Sequence, residues 1–220
     1  MDERIKALLL VGGPWHDGPG MRDELRAALT ANAPVDLTVT NDPATLTSPE
    51  LAANDVVIIY TTGGELTEAQ AHGLTDFVAS GKGFVGLHGA TTSFKTSPDY
   101  VKMIGSTFIR HPAFAEVRVK VVDPSHPITQ GVTEFVVPDE LYMLKCDPAD
   151  FHLLATAELD GVVEPSAYVK SWGQGRVFYL GLGHDARCLG SEGFRRLAGQ
   201  GLRWAARNGA ALAERGSAAK

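Results

Sequence analysis

Phe84-Val85-Gly86-Leu87-His88-Gly89-Ala90 is an apolar run that stops at a histidine set between glycines. Four apolar residues bounded by turn formers predict a short strand buried on both faces. Small neighbours around one polar side chain suit a sharp strand-to-helix turn, the geometry of a nucleophile elbow. On this reading the His88 imidazole stands exposed above the sheet, near a helix N-terminus that lowers its proton affinity and leaves it neutral. Such a group binds a metal or acts as a base.

Working outward, the upstream chain repeats the same grammar. Thr67 ahead of Glu68 and Gln70 predicts a helix start, with the helix running to Ser80 and stopped by Gly81. Residues 56–60 and 7–11 are further buried strands, closed by Thr61-Thr62-Gly63-Gly64 and by Gly12-Gly13-Pro14. Between them Met21, Leu25, Ala28 and Leu29 fall at helical spacing, and a brief strand follows at 35–39. Alternating strands and helices of these lengths imply an α/β fold with a mostly parallel sheet covered on both faces. Downstream, Val117, Val119 and Val121 alternate with Arg118 and Lys120, and short apolar runs at 135–137, 141–144, 153–156 and 167–170 follow without clear helices. These predict antiparallel additions to the sheet. A strand at 177–180 and a final helix at 193–207 complete the pattern.

The 220 residues are 44% hydrophobic and 21% charged, enough for a large core in a single domain, expected over 1–208 with a flexible tail at 209–220. A net charge of −6 without a basic block argues against nucleic-acid or membrane partners. Two cysteines, Cys146 and Cys188, make neither a disulfide framework nor a Cys-rich zinc scaffold, so a reducing cytoplasm is expected. The run 7–11 is too short for a signal or membrane segment.

Ligands of open parallel sheets bind at the carboxyl ends of strands. Four polar clusters fall just beyond expected strands: Trp15-His16-Asp17, His88, Asp139-Glu140-Leu141-Tyr142, and His184-Asp185. His16, His88 and His184, with Glu140, have the residue types of a zinc site holding an open position, although no HExxH-type spacing fixes one. GGPWHDGPG lacks the Walker lysine and any dinucleotide fingerprint, so no nucleotide cofactor is expected. Asp17 either binds substrate or caps the first helix, and Trp15 either packs or offers a sugar-stacking face. His111, held extended by Pro112, can hang over the site from a loop. Tyr142 can donate a phenol hydrogen bond or pack. Asp185 adjoins His184, yet neighbours on an extended chain point apart and need not orient each other. His72, His126 and His152 are expected to be structural or solvated.

Taken in order, Trp15-His16-Asp17, GLHGA at 86–90, Arg110-His111-Pro112, SHPITQG at 125–131, Asp139-Glu140-Leu141-Tyr142 and WGQGRVFYLGLGHD at 172–185 resemble the ThuA-like (trehalose utilisation) family over about residues 5–208. The resemblance implies a flavodoxin-like, class I glutamine amidotransferase-like sandwich. It also implies carbohydrate catabolism: an enzyme acting on a disaccharide, or on its 3-keto derivative made by a partner sugar dehydrogenase, by hydrolysis, elimination or isomerisation. Glutamine amidotransferases carry cysteine at the elbow, where thiolate attack requires it. Here that position is His88, so glutaminase chemistry is not expected. The roles expected from the residues themselves are catalytic for His88, His184, Glu140 and Asp185, substrate-binding for Trp15, Asp17, His111 and Tyr142, and metal-binding for His16, His88 and His184. Zinc or another divalent transition metal is the candidate cofactor. Homo-oligomerisation stays open, and the competing readings are a noncatalytic sugar-binding module and a metal-dependent hydrolase of a small ester or amide.

Overall fold

The computed structural model describes residues 4–15, 20–31 and 34–206. The expectations at His16 and Asp17, and that of a flexible tail, lie outside the described residues. Strand β1 (Ile5–Gly12) leads through α1 (Met21–Thr30), β2 (Val35–Thr40), a short α2 (Pro49–Ala52), β3 (Val56–Thr61) and α3 (Glu68–Ala79) to β4 (Gly83–Leu87). There follow α4 (Pro98–Ile104), β5 (Ser106–Arg110), β6 (Ala115–Val121), β7 (Phe135–Asp139), β8 (Met143–Cys146), β9 (His152–Leu159), β10 (Val162–Trp172), β11 (Gly175–Leu180), α5 (Ala186–Gly190) and α6 (Glu192–Ala206).

Nine strands form one sheet in the order β2-β1-β3-β4-β11-β10-β9-β6-β7. The first five run parallel and the last four antiparallel. This is the flavodoxin-like three-layer sandwich with antiparallel additions that the sequence implies. The parallel strands are apolar throughout because each face meets a different core. In β3, Val56, Ile58 and Tyr60 enter the core beneath α1 and α6, whereas Val57 and Ile59 enter the one beneath α3 and α4. Near the antiparallel edge of the sheet only one face is covered, so in β6 the buried Val117 and Val119 alternate with exposed Glu116, Arg118 and Lys120. Helix α3 begins with the expected capping box: the Thr67 hydroxyl accepts from the Gln70 amide and the Gln70 side chain accepts from the Thr67 amide.

Several elements depart from the reading of the sequence. The strand expected at 141–144 begins later, as β8, and pairs with β5 in a separate two-stranded sheet rather than extending the main one. The cause is local: the carboxylate of Asp139, ending β7, accepts the Glu140 amide at 2.7 Å and turns the chain out of the ladder. Leu141 and Tyr142 are then free to bury their side chains. Helix α4, with Pro98 in its first turn, has no counterpart in that reading. Among the described residues no helix is long and apolar enough to cross a membrane.

Candidate functional site

His88 follows the last residue of β4 in a left-handed backbone conformation, φ 41°, as a tight elbow demands. Glycine follows for a steric reason. A Cβ on Gly89 would stand 2.5 Å from the Thr61 carbonyl oxygen, so only hydrogen fits. The element after the elbow is not the expected helix but a single 3-10 turn, residues 88–91. The hydroxyls of Thr92 and Ser93 donate back to the Gly89 carbonyl at 2.7 and 3.0 Å and compete with helical continuation. The expected exposure of His88 is overturned as well: the side chain is 0% exposed. Tyr142 lies against its ring at 4.2 Å between centroids, and the residues after β7 and β11 cover the remainder.

One ring edge of His88 is fixed by the backbone. Nδ1 lies 2.9 Å from the carbonyl oxygen of Gly181, just past β11. A carbonyl only accepts, so Nδ1 carries the proton and Nε2 is left to face Glu140 Oε2 at 3.6 Å. His184 brings Nδ1 to 3.1 Å from that same oxygen, and His111 brings Nε2 to 3.4 Å from Oε1. His111 has its own tautomer set by a 2.7 Å contact from Nδ1 to the Pro112 carbonyl. Three imidazoles therefore surround one carboxylate that is only 11% exposed. Burial pushes the Glu140 carboxyl up, but hydrogen bonding and charge from the facing imidazoles, His184 foremost, outweigh it and hold the group well below the usual carboxylate range. The hydrogen bond to Glu140 in turn raises the His184 imidazole, against the opposing effect of burial.

The site chemistry asks for positive charge at its centre. Ligating atoms of His88, Glu140 and His184 lie within 4.8 Å of one another, and two imidazoles with one carboxylate is a donor set that zinc and similar divalent ions accept. The residues present fit such an ion. The other expected residues distribute themselves around this centre. Tyr142 packs between His88 and Phe108, and its buried phenol is raised above its ordinary value, chiefly by burial. Phe114 lies 5.1 Å from the His184 ring. Trp15 is tied through its backbone to Thr62 at the exit of β1, with the side chain 70% exposed. Asp185 is not brought to the centre: its carboxylate caps α5, accepting from the Arg187 and Cys188 amides and pairing with the Arg187 guanidinium. Extended backbone at Asp185 sends it away from its neighbour His184.

Three residues of the site were not singled out from the sequence. Asp139 is 0% exposed, and its carboxylate accepts from the amides of Gly183, Glu140 and His184. Tyr60 donates its hydroxyl to the Gly183 carbonyl at 2.7 Å, and Tyr179 donates to the His88 carbonyl at 3.1 Å. The available signal was a carboxylate doublet, Asp139-Glu140, directly after an apolar strand.

A family model described as ThuA, trehalose utilisation, matches residues 7–205. Among solved structures the chain is similar to a putative ThuA-like protein from Parabacteroides merdae, with TM-score 0.79 and 21% identity over 93% of this chain and 90% of that one. A putative ThuA-like protein from Bacteroides uniformis gives TM-score 0.73 and 22% identity, covering 92% and 91%. A cold-adapted β-galactosidase from Rahnella sp. R3 shares the fold at TM-score 0.61 and 16% identity, over 89% of this chain but 30% of that enzyme. Among curated proteins none matches the chain.

Proposed function

The chain belongs to the ThuA trehalose-utilisation family, and on that premise we propose that it is an enzyme that acts on a 3-keto disaccharide by abstracting the proton beside the ketone. The observation that carries this reading is the single carboxylate ringed by three imidazoles. A direct glycosidase needs two working carboxylates flanking the bond. Among the described residues, Glu140 alone is available, because the Asp139 carboxylate is taken up by backbone amides and Asp185 by a helix cap.

His88, Glu140 and His184 are the residues that would hold a divalent ion. When bound, that ion supplies Lewis acidity that polarises the substrate carbonyl. His111, expected as a substrate contact, is the exposed imidazole of the group, with 36% of its side chain open to solvent and Nε2 as its basic nitrogen. It takes the proton from the carbon between the ketone and the anomeric centre. The carbon–hydrogen bond breaks, a carbon–carbon double bond forms, and the glycosidic oxygen leaves with the proton returned by His111. Glu140 Oε1, 3.4 Å from Nε2, stabilises the imidazolium between the two transfers. Isomerisation follows the same first step and returns the proton to carbon instead.

The test combines elemental analysis of tag-free protein with turnover of a 3-keto disaccharide and of its parent sugar. Near-stoichiometric metal lost in His88→Ala, together with turnover of the keto-sugar only, is the expected result. Tight sugar binding without turnover, unaffected by His88→Ala, would instead support the noncatalytic module.

A further inference from the structure

We propose that Asp139 is the positioning residue of this site, a buried carboxylate whose two oxygens set where Glu140 and His184 stand relative to His88. The inference deepens the preceding reading and concerns a residue given no role there. Asp139 is the last residue of β7, which by hydrogen bonding is the far edge of the nine-stranded sheet. Its contacts nevertheless reach the exit of β11, four places away in strand order. Oδ2 accepts the Gly183 amide at 2.7 Å, and Oδ1 accepts the Glu140 amide at 2.7 Å and the His184 amide at 3.3 Å. The same Oδ1 lies 3.9 Å from His88 Nδ1.

A carboxylate with 0% exposure persists only where donors replace its lost hydration. Here those donors are the amides of the residues that carry the site. The anion therefore pins one backbone turn to another and draws the edge strand toward the elbow. Tyr60 clamps the same Gly183 peptide from its carbonyl side, at 2.7 Å. Gly183 itself holds φ 127°. Asparagine cannot substitute, because an amide has one accepting oxygen and sets an NH2 donor against the second amide. Partners that orient metal ligands from behind typically change metal affinity when removed, without touching the ion.

The experiment is Asp139→Asn in the full chain, read first without metal. Imidazole 15N–1H spectra are recorded for the wild type and for the cooperatively folded variant, and zinc affinity is then measured by calorimetry. The expected result is displaced His184 and His88 ring resonances in the metal-free variant, with zinc binding weakened about 10- to 100-fold. A folded variant with both sets of ring resonances unchanged overturns the proposal. A wild type that binds no zinc, with resonances still displaced by the substitution, overturns the metal reading and leaves the positioning role standing. If Asp139→Asn does not fold, Asp139→Glu keeps the charge and both acceptors but shifts them by one methylene. It is judged by the same ring resonances, and unchanged signals again overturn the proposal.

Discussion

Glu140 is held by three imidazoles from three separate segments, so one substitution tests the whole arrangement. Glu140→Gln keeps the shape but removes the charge that holds His184 and that faces His88. It is expected to abolish stoichiometric metal in elemental analysis and to lower kcat on a keto-disaccharide by about 10²- to 10⁴-fold, the range of a lost acid–base partner. Full activity in this variant would remove Glu140 from the mechanism. Gly89 carries a second expectation at this scale. A Cβ there would overlap the Thr61 carbonyl at 2.5 Å, and backbone cannot yield as a flexible side chain does. Gly89→Ala should cost about 1–3 kcal/mol in urea unfolding, as overpacked core positions do, and a neutral result would mean that the elbow shifts freely. The histidines and the glycine-bordered elbow were legible because they are local features. Asp139 was not, because the amides of Gly183 and His184 that donate to its carboxylate lie 44 and 45 positions further along the chain.

At the scale of elements, periodicity was a reliable guide wherever an element meets the core on a regular stripe. Helix α3 shows this together with its capping box, and Thr67→Ala should destabilise by about 1 kcal/mol, measured as a shift in denaturation midpoint with unchanged slope. No shift would mean that the cap is carried by the backbone alone. The failures came where side-chain hydrogen bonds replaced regular ladders. Asp139 turned an expected strand at 141–144 aside, and Thr92 and Ser93 cut an expected helix to one 3-10 turn. Neither competition leaves a periodic trace in the sequence.

For the whole molecule, the candidate site joins β4, the turn after β7 and the exit of β11, segments that otherwise meet only through the sheet. An ion bound by His88, Glu140 and His184 is expected to stabilise the fold by about 2.7 kcal/mol at a free concentration one hundred times its Kd. Chelation should therefore lower Tm in the wild type and leave Tm unchanged in His88→Ala. A second global expectation concerns the opposite end of the sheet. There the Asp123 carboxyl is held well below its ordinary value by hydrogen bonds from Ser125 and from His152, the latter at 2.7 Å. A depressed carboxyl contributes stability above its unfolded-state pKa, about 4, and loses it as pH falls through the folded value. Asp123→Asn should flatten the acid limb of the stability–pH curve below about pH 4 and leave its alkaline limb unchanged. An acid limb as steep as that of the wild type would show that other carboxyls dominate.

From the sequence alone came the α/β class, the parallel half, the antiparallel additions and the histidines at strand exits. All of these follow from side-chain periodicity and turn chemistry, which act over a few residues. Only the tertiary structure decided that His88 is buried rather than exposed, that Glu140 is shared by three imidazoles, that Asp185 serves a helix cap and that Asp139 underlies the site. Each of these depends on which distant strands the sheet brings together. Strand order and curvature are set by the packing of both faces against their helices, a property of the folded whole that no short stretch of sequence carries.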